Sequence, residues 1–397
     1  MDIVHFFLNL IIILVSSKFL GEFFAYLKLP SVLGEVAAGV IVGPSLLGWV
    51  HIDSVLLVLA EIGILLLLFE VGLETDVAQL IKVGPRSVLV AVTGIVAPAL
   101  LAYGISVWIL GLPFMVTMFI CGTLVATSIG ISLRVLREIG QHETALARTV
   151  LGAAVLDDIA GVLILAVLFD FAVNQEVNVG HTAAVFGYII AFLLIAPVMA
   201  KLLVPAMTRL NNVSHTEGMI PTLAIALMLS FAVIAHKLDA PAILGAFAAG
   251  IALSRHFFLP VGPMQNKHES FAEKVEHQLK PISGLFVPIF FFVVGASINL
   301  RVIDFSSASF WWMASLLTVA AVLGKMASGI WAEGTFQEKL FCGMAMVPRG
   351  EVGLIFAEVG KKNGVLDETN YAVAVFVVML TTFIAPIALR QMTKNRK

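Results

Sequence analysis

Charged residues are scarce in this sequence. Asp, Glu, Lys and Arg make up 13% of its 397 residues, about half the share that is typical of a soluble domain. The formal net charge is -2, which argues against a nucleic-acid partner. The two cysteines, Cys121 and Cys342, lie far apart in apolar segments and indicate neither a disulfide framework nor a metal cluster. We expect no cofactor.

The sequence instead contains many long apolar runs. Apolar residues make up 60% of the chain, and a bilayer crossing takes roughly 20 of them. The runs predict an all-α polytopic membrane protein with about thirteen transmembrane helices. Residues 1–5 lack the basic start of a cleavable signal peptide, so we expect the first run to remain as a helix.

The loop charges predict the orientation. Most of the 24 Lys and Arg residues fall on the side of the first connection, near Lys28, which is also the side of the C-terminal tail. Few lie on the other side: Lys237, Arg301, Lys361 and Lys362. Cytoplasmic loops carry an excess of Lys and Arg. We therefore predict a multi-pass protein of the cell (inner) membrane, with its N-terminus outside and its C-terminus in the cytoplasm.

The sequence contains an internal repeat. Residues 30–40 (PSVLGEVAAGV) are echoed by residues 241–251 (PAILGAFAAGI), and residues 69–72 (FEVG) by residues 292–295 (FVVG). The echoes are an odd number of segments apart, so the two copies must be inverted in the membrane. We predict two inverted repeats of about six helices each, joined by a linker helix, which is the architecture of secondary transporters.

Two adjacent acids lie inside an apolar run. Asp157 and Asp158 have apolar residues on both sides. A charge at the bilayer centre costs roughly 3 kcal/mol on insertion scales, and an intramembrane ionisable residue is by default a functional site. Adjacent helical residues point about 100° apart, so one acid can take a counter-charge while the other faces a water-filled cavity. There it can hold a proton or a small cation.

The predicted counter-charge is Lys325, within the apolar segment of residues 311–330. A buried lysine needs an anion or must lose its proton, and the alternative is that its side chain snorkels to the interface. Competition between a proton and a cation for the remaining carboxylate is sufficient to couple the two fluxes in opposite directions.

Two segments are predicted to be broken helices. The fifth contains Thr127 and Ser128, whose hydroxyls can satisfy freed backbone groups or bind a cation. Its repeat mate contains residues 348–351 (Pro-Arg-Gly-Glu), where the proline lacks an N–H and the glycine is permissive. Crossed breaks at the midplane would bring opposing helix-dipole ends together. Arg349 and Glu351 can act beside those ends or form a structural pair.

Other acids fall in or near apolar runs: Glu35, Glu61, Glu70, Glu74 and Glu358. The second copy of the repeat has Ala246 and Val293 where the first has Glu35 and Glu70. The architecture therefore requires neither acid. Each can line a cavity wall or pair across a subunit contact.

With these motifs the chain resembles the bacterial NapA-type sodium/proton antiporters of the cation/proton antiporter-2 group, nearly from end to end. Kef-like membrane domains belong to the same group. The resemblance rests on several short stretches: residues 33–35 with 43–44, 71–74, 126–130, 157–158, 324–325 and 348–354.

The resemblance implies a homodimer in a lipid bilayer, with an elevator mechanism. It makes Asp158 the carrier of the cation or proton and Asp157 the partner of Lys325. Thr127 would frame the site, and Glu351 would lie near the lysine. It also implies an electrogenic exchange, because the acids form an Asp-Asp pair.

The resemblance suggests a division of the membrane part. Residues 86–172 and 308–390 would form the ion-transport core, residues 1–80 and 218–300 the dimerisation panel, and residues 183–210 the linker helix. We expect no cytosolic regulatory domain in this chain.

The predicted function is exchange of Na+ or Li+ for H+ through Asp158, with no enzymatic activity and with small inorganic cations as substrates. K+ in place of Na+ is one alternative, because ion selectivity depends on oxygen number and cavity size. A cation channel of the same fold is another.

Overall fold

The computed structural model describes residues 3–74, 77–174, 179–213, 218–238, 241–254, 265–298, 300–304 and 306–394. Within these ranges the regular structure is helical. The α-helices of the first half are α1 (Ile3–Tyr26), α2 (Ser31–Val42), α3 (Ser54–Glu74), α4 (Val77–Gly104), α5 (Phe114–Val125), α6 (Ile129–Glu138), α7 (Ala145–Asn174) and α8 (Val179–Val213). Those of the second half are α9 (Met219–Lys237), α10 (Ala242–Leu253), α11 (Gln265–Ser297), α12 (Ala308–Ser328), α13 (Phe336–Ala345), α14 (Glu351–Lys362) and α15 (Glu368–Lys394).

The apolar runs have become helices of membrane-spanning length. Eight helical spans in the described residues are long and apolar enough to cross a membrane, counting α5 and α6 as one. The helices α2 and α10 are apolar but have 12 residues each, less than a full crossing requires. The chain is therefore an all-helical membrane protein. The count of about thirteen spans and the inverted repeat stay predictions.

The chain forms two compact units. Unit 1 comprises Met1–Asp53, Val83–Asn178 and Phe291–Lys397. Unit 2 comprises Ser54–Lys82 and Val179–Phe290. In unit 2, α10 packs against α3, α8 and α9. The predicted division into core, panel and linker stays a prediction.

Unit 1 contains the elements that position the predicted site. Its apolar core includes the buried rings of Phe119, Phe310 and Phe356, on α5, α12 and α14. Phe310 meets Phe376 of α15 edge to face, with ring centroids 5.4 Å apart. This packing holds α5, α12, α14 and α15 around the two helix breaks.

Candidate ion-exchange site

The fifth predicted segment is interrupted between α5 and α6. Helix α5 ends at Val125, and Ala126 is extended, with φ -60° and ψ 136°. Ser128 is the N-cap of α6, and its Oγ accepts a hydrogen bond from the N–H of Ile131 at 3.5 Å. A serine here suits the role, because its hydroxyl satisfies a backbone donor that has no partner inside the helix.

The repeat mate is interrupted between α13 and α14. Helix α13 ends at Ala345, and α14 begins at Glu351 after the extended Gly350, with φ -151° and ψ -144°. A Cβ on Gly350 would come within 2.8 Å of Cβ of Ser128. A side chain at this position would collide with the other break, so the glycine permits the two breaks to meet.

Hydrogen bonds join the two breaks directly. The N–H of Ser128 donates to the carbonyl of Pro348 at 2.9 Å. The hydroxyl of Thr127 donates to the carbonyl of Met346 at 3.2 Å. One turn into α6, the hydroxyl of Ser132 donates to the carbonyl of Ala345 at 2.7 Å. The carbonyl end of α13, which has no partner within its own helix, is thus satisfied by donors from the first break.

Arg349 completes the same helix end. Its side chain is fully buried. Nη1 donates to the carbonyls of Met346 at 3.4 Å and Val347 at 3.1 Å, and Nη2 donates to that of Ala321 on α12 at 3.5 Å. The guanidinium is a fixed positive charge at the negative end of a half-helix dipole. The predicted pairing with Glu351 is untested, because that side chain lies outside the described residues.

The backbone at Arg349 is held from α15. The hydroxyl of Thr382 donates to the carbonyl of Arg349 at 2.6 Å and to the carbonyl of Val378 in its own helix at 2.7 Å. Thr382 is buried, with 1% of its surface exposed. This contact fixes the direction in which the extended segment runs.

Helix α7 carries the two aspartates into this region, where it packs against α5, α6, α13 and α14. Asp157 and Asp158 are both buried, with exposures of 0% and 3%. Oδ2 of Asp157 accepts a hydrogen bond from Nζ of Lys325 at 2.7 Å. Oδ1 of Asp157 has no hydrogen-bond partner within the described part of the chain.

Lys325 lies fully inside the protein, so its side chain does not snorkel to an interface. Its side chain passes close to Gly94 of α4, where a Cβ would be in ordinary van der Waals contact with Nζ at 3.5 Å. The neighbouring Gly324 lies against Pro98 of α4, which brings α12 close to that helix. The charges of Asp157, Arg349 and Asp158 all act on Lys325. The site therefore contains two acids and two basic groups in one buried cluster.

The predicted site residues differ in what the structure shows of them. Thr127 and Ser128 use their hydroxyls on backbone partners, and their oxygen lone pairs are the atoms that could contact a cation. The alternative of purely structural hydroxyls stays open. Sequence reasoning missed Ser132 and Thr382. Ser132 follows Ser128 by one helical turn, which is a signal that could have marked it.

The remaining acids are dispersed. Glu61 is exposed and Glu70 half-buried, and the side chain of Glu74 lies outside the described residues. Glu358 is exposed and accepts a hydrogen bond from the hydroxyl of Tyr371 at 3.1 Å. Glu35 is buried beside a basic residue of α6.

Comparison with known proteins gives three consistent findings. The model of the family described as sodium/hydrogen exchanger, transmembrane, matches residues 10–395. The high-affinity Na(+)/H(+) antiporter NhaS3 of Synechocystis sp. is 33% identical over 98% of this chain and 90% of its own length. The Na(+)/H(+)-K(+) antiporter GerN of Bacillus cereus is 35% identical over 97% of this chain and 96% of its own.

A solved structure has the same fold. The sodium proton antiporter MjNhaP1 from Methanocaldococcus jannaschii matches with a TM-score of 0.73, covering 100% of this chain and 98% of that one. At 17% sequence identity, this likeness speaks for the fold alone.

Proposed function

Because the chain belongs to the sodium/hydrogen exchanger family, we propose that it exchanges Na+ or Li+ for H+ across a membrane as a secondary active antiporter. The sequence resemblance to sodium/proton antiporters is thereby confirmed at the level of the family, and the named relatives are transporters rather than enzymes. The observation that carries the proposal is the buried acid pair on α7, with Lys325 bound to one member.

That contact supports the roles that we propose for the two acids. Asp157 is engaged by Lys325 at 2.7 Å, so we assign the exchangeable charge to Asp158. A carboxylate can hold a proton or a small cation, but hardly both at once. Alternate occupancy couples the two fluxes. Oδ1 of Asp157 and the hydroxyls of Thr127 and Ser128 are the oxygens that we propose as further cation ligands, because Na+ binds oxygen.

Arg349 limits where the cation can bind. Its guanidinium already takes the carbonyls of Met346 and Val347 at the end of α13. We therefore place the cation at the carboxylates and not at these carbonyls. In this role Arg349 is a positioning residue that keeps the second break in its extended form.

We propose an elevator movement of residues 86–172 and 308–390 against residues 1–80 and 218–300, with residues 183–210 as the linker and a homodimer formed by the panel. Electrogenic exchange requires an additional proton per cycle. A buried lysine can give up its proton, and Lys325 is the group that we propose for it. We also propose that the protein lies in the cell (inner) membrane, with its N-terminus outside the cell and its C-terminus in the cytoplasm.

The test is proton movement in proteoliposomes, with membrane potential clamped and internal pH fixed. Addition of Na+ to the wild type should release protons. Asp158→Asn should abolish the response, whereas Glu61→Gln, which changes an exposed acid of α3, should keep it. Full activity of Asp158→Asn would refute the assignment, and flux insensitive to the proton gradient would refute antiport.

Potassium is the second candidate cation, because the relative from Bacillus cereus carries K+ in its name. A series of Na+, Li+, K+ and Rb+ in the same assay separates the two readings. A response to Na+ and Li+ alone supports the main proposal. A response to K+ alone keeps the mechanism and changes the cation.

A further inference from the structure

A second buried acid of unit 1 lies outside the ion-exchange site. Glu35, on α2, is 4% exposed. Its Oε1 is 3.6 Å from Nη2 of Arg134 on α6. Its Oε2 has no hydrogen-bond partner within the described residues. A buried carboxylate with an ion pair to one oxygen and no hydrogen bond to the other is only partly compensated.

Arg134 has a closer partner in Glu138, one turn further along α6. Nε of Arg134 donates to Oε1 of Glu138 at 3.0 Å. Glu138 also accepts hydrogen bonds from Ser31, the first residue of α2, at 2.6 Å from the N–H and 2.5 Å from the hydroxyl. Because Pro30, the N-cap of α2, makes no side-chain cap, Glu138 supplies a cap from another helix. These four residues (Ser31, Glu35, Arg134 and Glu138) form the α2–α6 latch.

We infer that Glu35 is a second proton-binding site, separate from Asp158, and that its occupancy controls the α2–α6 latch. With a proton on Glu35, the buried group is neutral and Arg134 stays on Glu138, which holds Ser31. Without the proton, Glu35 competes with Glu138 for the one guanidinium. A rearrangement that brings water to Glu35 then becomes favourable, and the latch loosens.

The charges around Glu35 are few. From α6, Arg134 and Glu138 face it, and from α1 the charge of Lys18 acts on it. Lys18 is exposed, and its Nζ lies 4.0 Å from Oε1 of Glu22, which is also exposed. The part of α11 that packs against α2, residues 291–297, contains no charged residue. The latch is therefore the main charged contact that Glu35 can change.

A short helix connects the latch to the ion-exchange site. Helix α6 begins at the first break, beside Ser128, and ends at Glu138. In the proposed elevator, α2 belongs to the panel and α6 to the moving core. This consequence rests on the proposed function: a closed latch should slow transport at acidic pH, and its release should raise transport as the pH rises.

Hydrogen exchange of the full-length protein in lipid nanodiscs tests the proton site without transport. Protection factors of the amides in residues 31–34, corrected for intrinsic exchange, should fall roughly tenfold as the pH rises, the amount expected when charged hydrogen bonds are lost. Glu35→Gln, which stays neutral, should be protected at every pH. Glu138→Gln should be unprotected at every pH. The matched control, Glu22→Gln, should behave as the wild type.

The transport assay then separates this inference from the proposed function. Glu35→Gln should make the exchange rate less dependent on pH and keep it low, while Glu138→Gln should raise it at acidic pH. A protection profile of Glu35→Gln that titrates like the wild type overturns the proton site, whatever the transport result. Loss of exchange in Asp158→Asn bears on the proposed function alone.

Discussion

The two glycine-rich helices α2 and α10 have the same packing and different chemistry. The Cα of Gly34 lies against the backbone of Leu20 on α1, and that of Gly245 against the backbone of Phe231 on α9. In both cases the neighbour is the preceding helix of the chain, and a Cβ would collide with its carbonyl.

Further close approaches correspond between the two helices. On α2, Gly39 lies against Phe292, as Gly250 on α10 lies against Phe69. On the facing helices, Gly295 lies against Val36 of α2, as Gly72 lies against Phe247 of α10. Thus α2 takes α11 as its second neighbour in unit 1, and α10 takes α3 in unit 2. If the predicted repeat is applied, α3 and α11 are the third helices of the two copies, and each packs against the second helix of the other copy.

The difference between the helices is charge. Glu35 on α2 joins Arg134 and Glu138 of α6, whereas Ala246 stands in its place on α10. We interpret the contacts that both helices make as packing contacts, and the contacts that α2 alone makes as candidates for another role. Substitutions can test this distinction.

The largest loss of stability is expected at Lys325, whose charge is fully buried. Lys325→Met leaves Asp157 without its partner, which costs about 3–5 kcal/mol for a buried pair. Thermal unfolding of the purified protein should show this loss. The double variant Asp157→Asn/Lys325→Met should regain most of it, because no charge of the pair is then left alone. A single variant as stable as the wild type would contradict the reading.

Substitutions at the glycine contacts that α2 and α10 share should destabilise the protein by similar amounts. Gly39→Ala and Gly250→Ala each force a Cβ into a neighbouring backbone, and overpacking of this kind costs about 1–3 kcal/mol. Gly84→Ala on α4 is the control, since its Cβ meets no described atom within 4 Å. Unfolding midpoints should drop by similar amounts in the first two variants and not in the third. A drop in one alone would break the equivalence.

A smaller effect is expected at the second break. Thr382→Val removes the hydrogen bond to the carbonyl of Arg349, for a loss of about 1 kcal/mol. The neighbouring Thr381, whose hydroxyl bonds to its own helix, gives the control Thr381→Val. Thr382→Val should also change the Na+ concentration for half-maximal exchange, because the break loses an anchor. Equal behaviour of the two variants would remove Thr382 from the site.

The smallest effect on stability is expected at Glu35. Glu35→Ala gives α2 the side chain that α10 has at this position, and it removes a buried carboxylate whose charge is only partly compensated. The gain from removing that charge offsets part of the lost packing, so the free energy of unfolding should change by less than about 1 kcal/mol. Chemical denaturation measures this. A loss of several kcal/mol would show that Glu35 is structural after all.

Much of this arrangement was predictable from local patterns. Proline and glycine in residues 348–351 indicated one break, and Thr127 with Ser128 indicated the other, because such residues interrupt helices or satisfy freed backbone groups. Their charges made a contact between Lys325 and one acid of the pair predictable. The choice of Asp157 rested on the family resemblance. The roles of these residues in transport stay predictions.

The contacts of Arg349, Ser132 and Thr382 could not be predicted in the same way. Each joins a side chain to a backbone carbonyl, and every residue offers a carbonyl, so the sequence does not mark the partner. Ser132 and Ala345 are 213 residues apart. A buried threonine in a helix usually bonds to its own backbone, and nothing local distinguishes Thr382 from Thr381.

The packing of α2 against α11, which lies far along the chain, has a consequence for biogenesis. Near α2, Ser45 donates a hydrogen bond to the carbonyl of Ile298, and the two residues are 253 apart in the chain. At ribosomal speeds of about 5–20 residues per second, α2 waits roughly 10 to 50 seconds in the membrane before α11 is synthesised. During that interval the backbone that packs against Gly39 has not yet been made. We therefore expect the nascent first half to be an assembly intermediate that the second half completes.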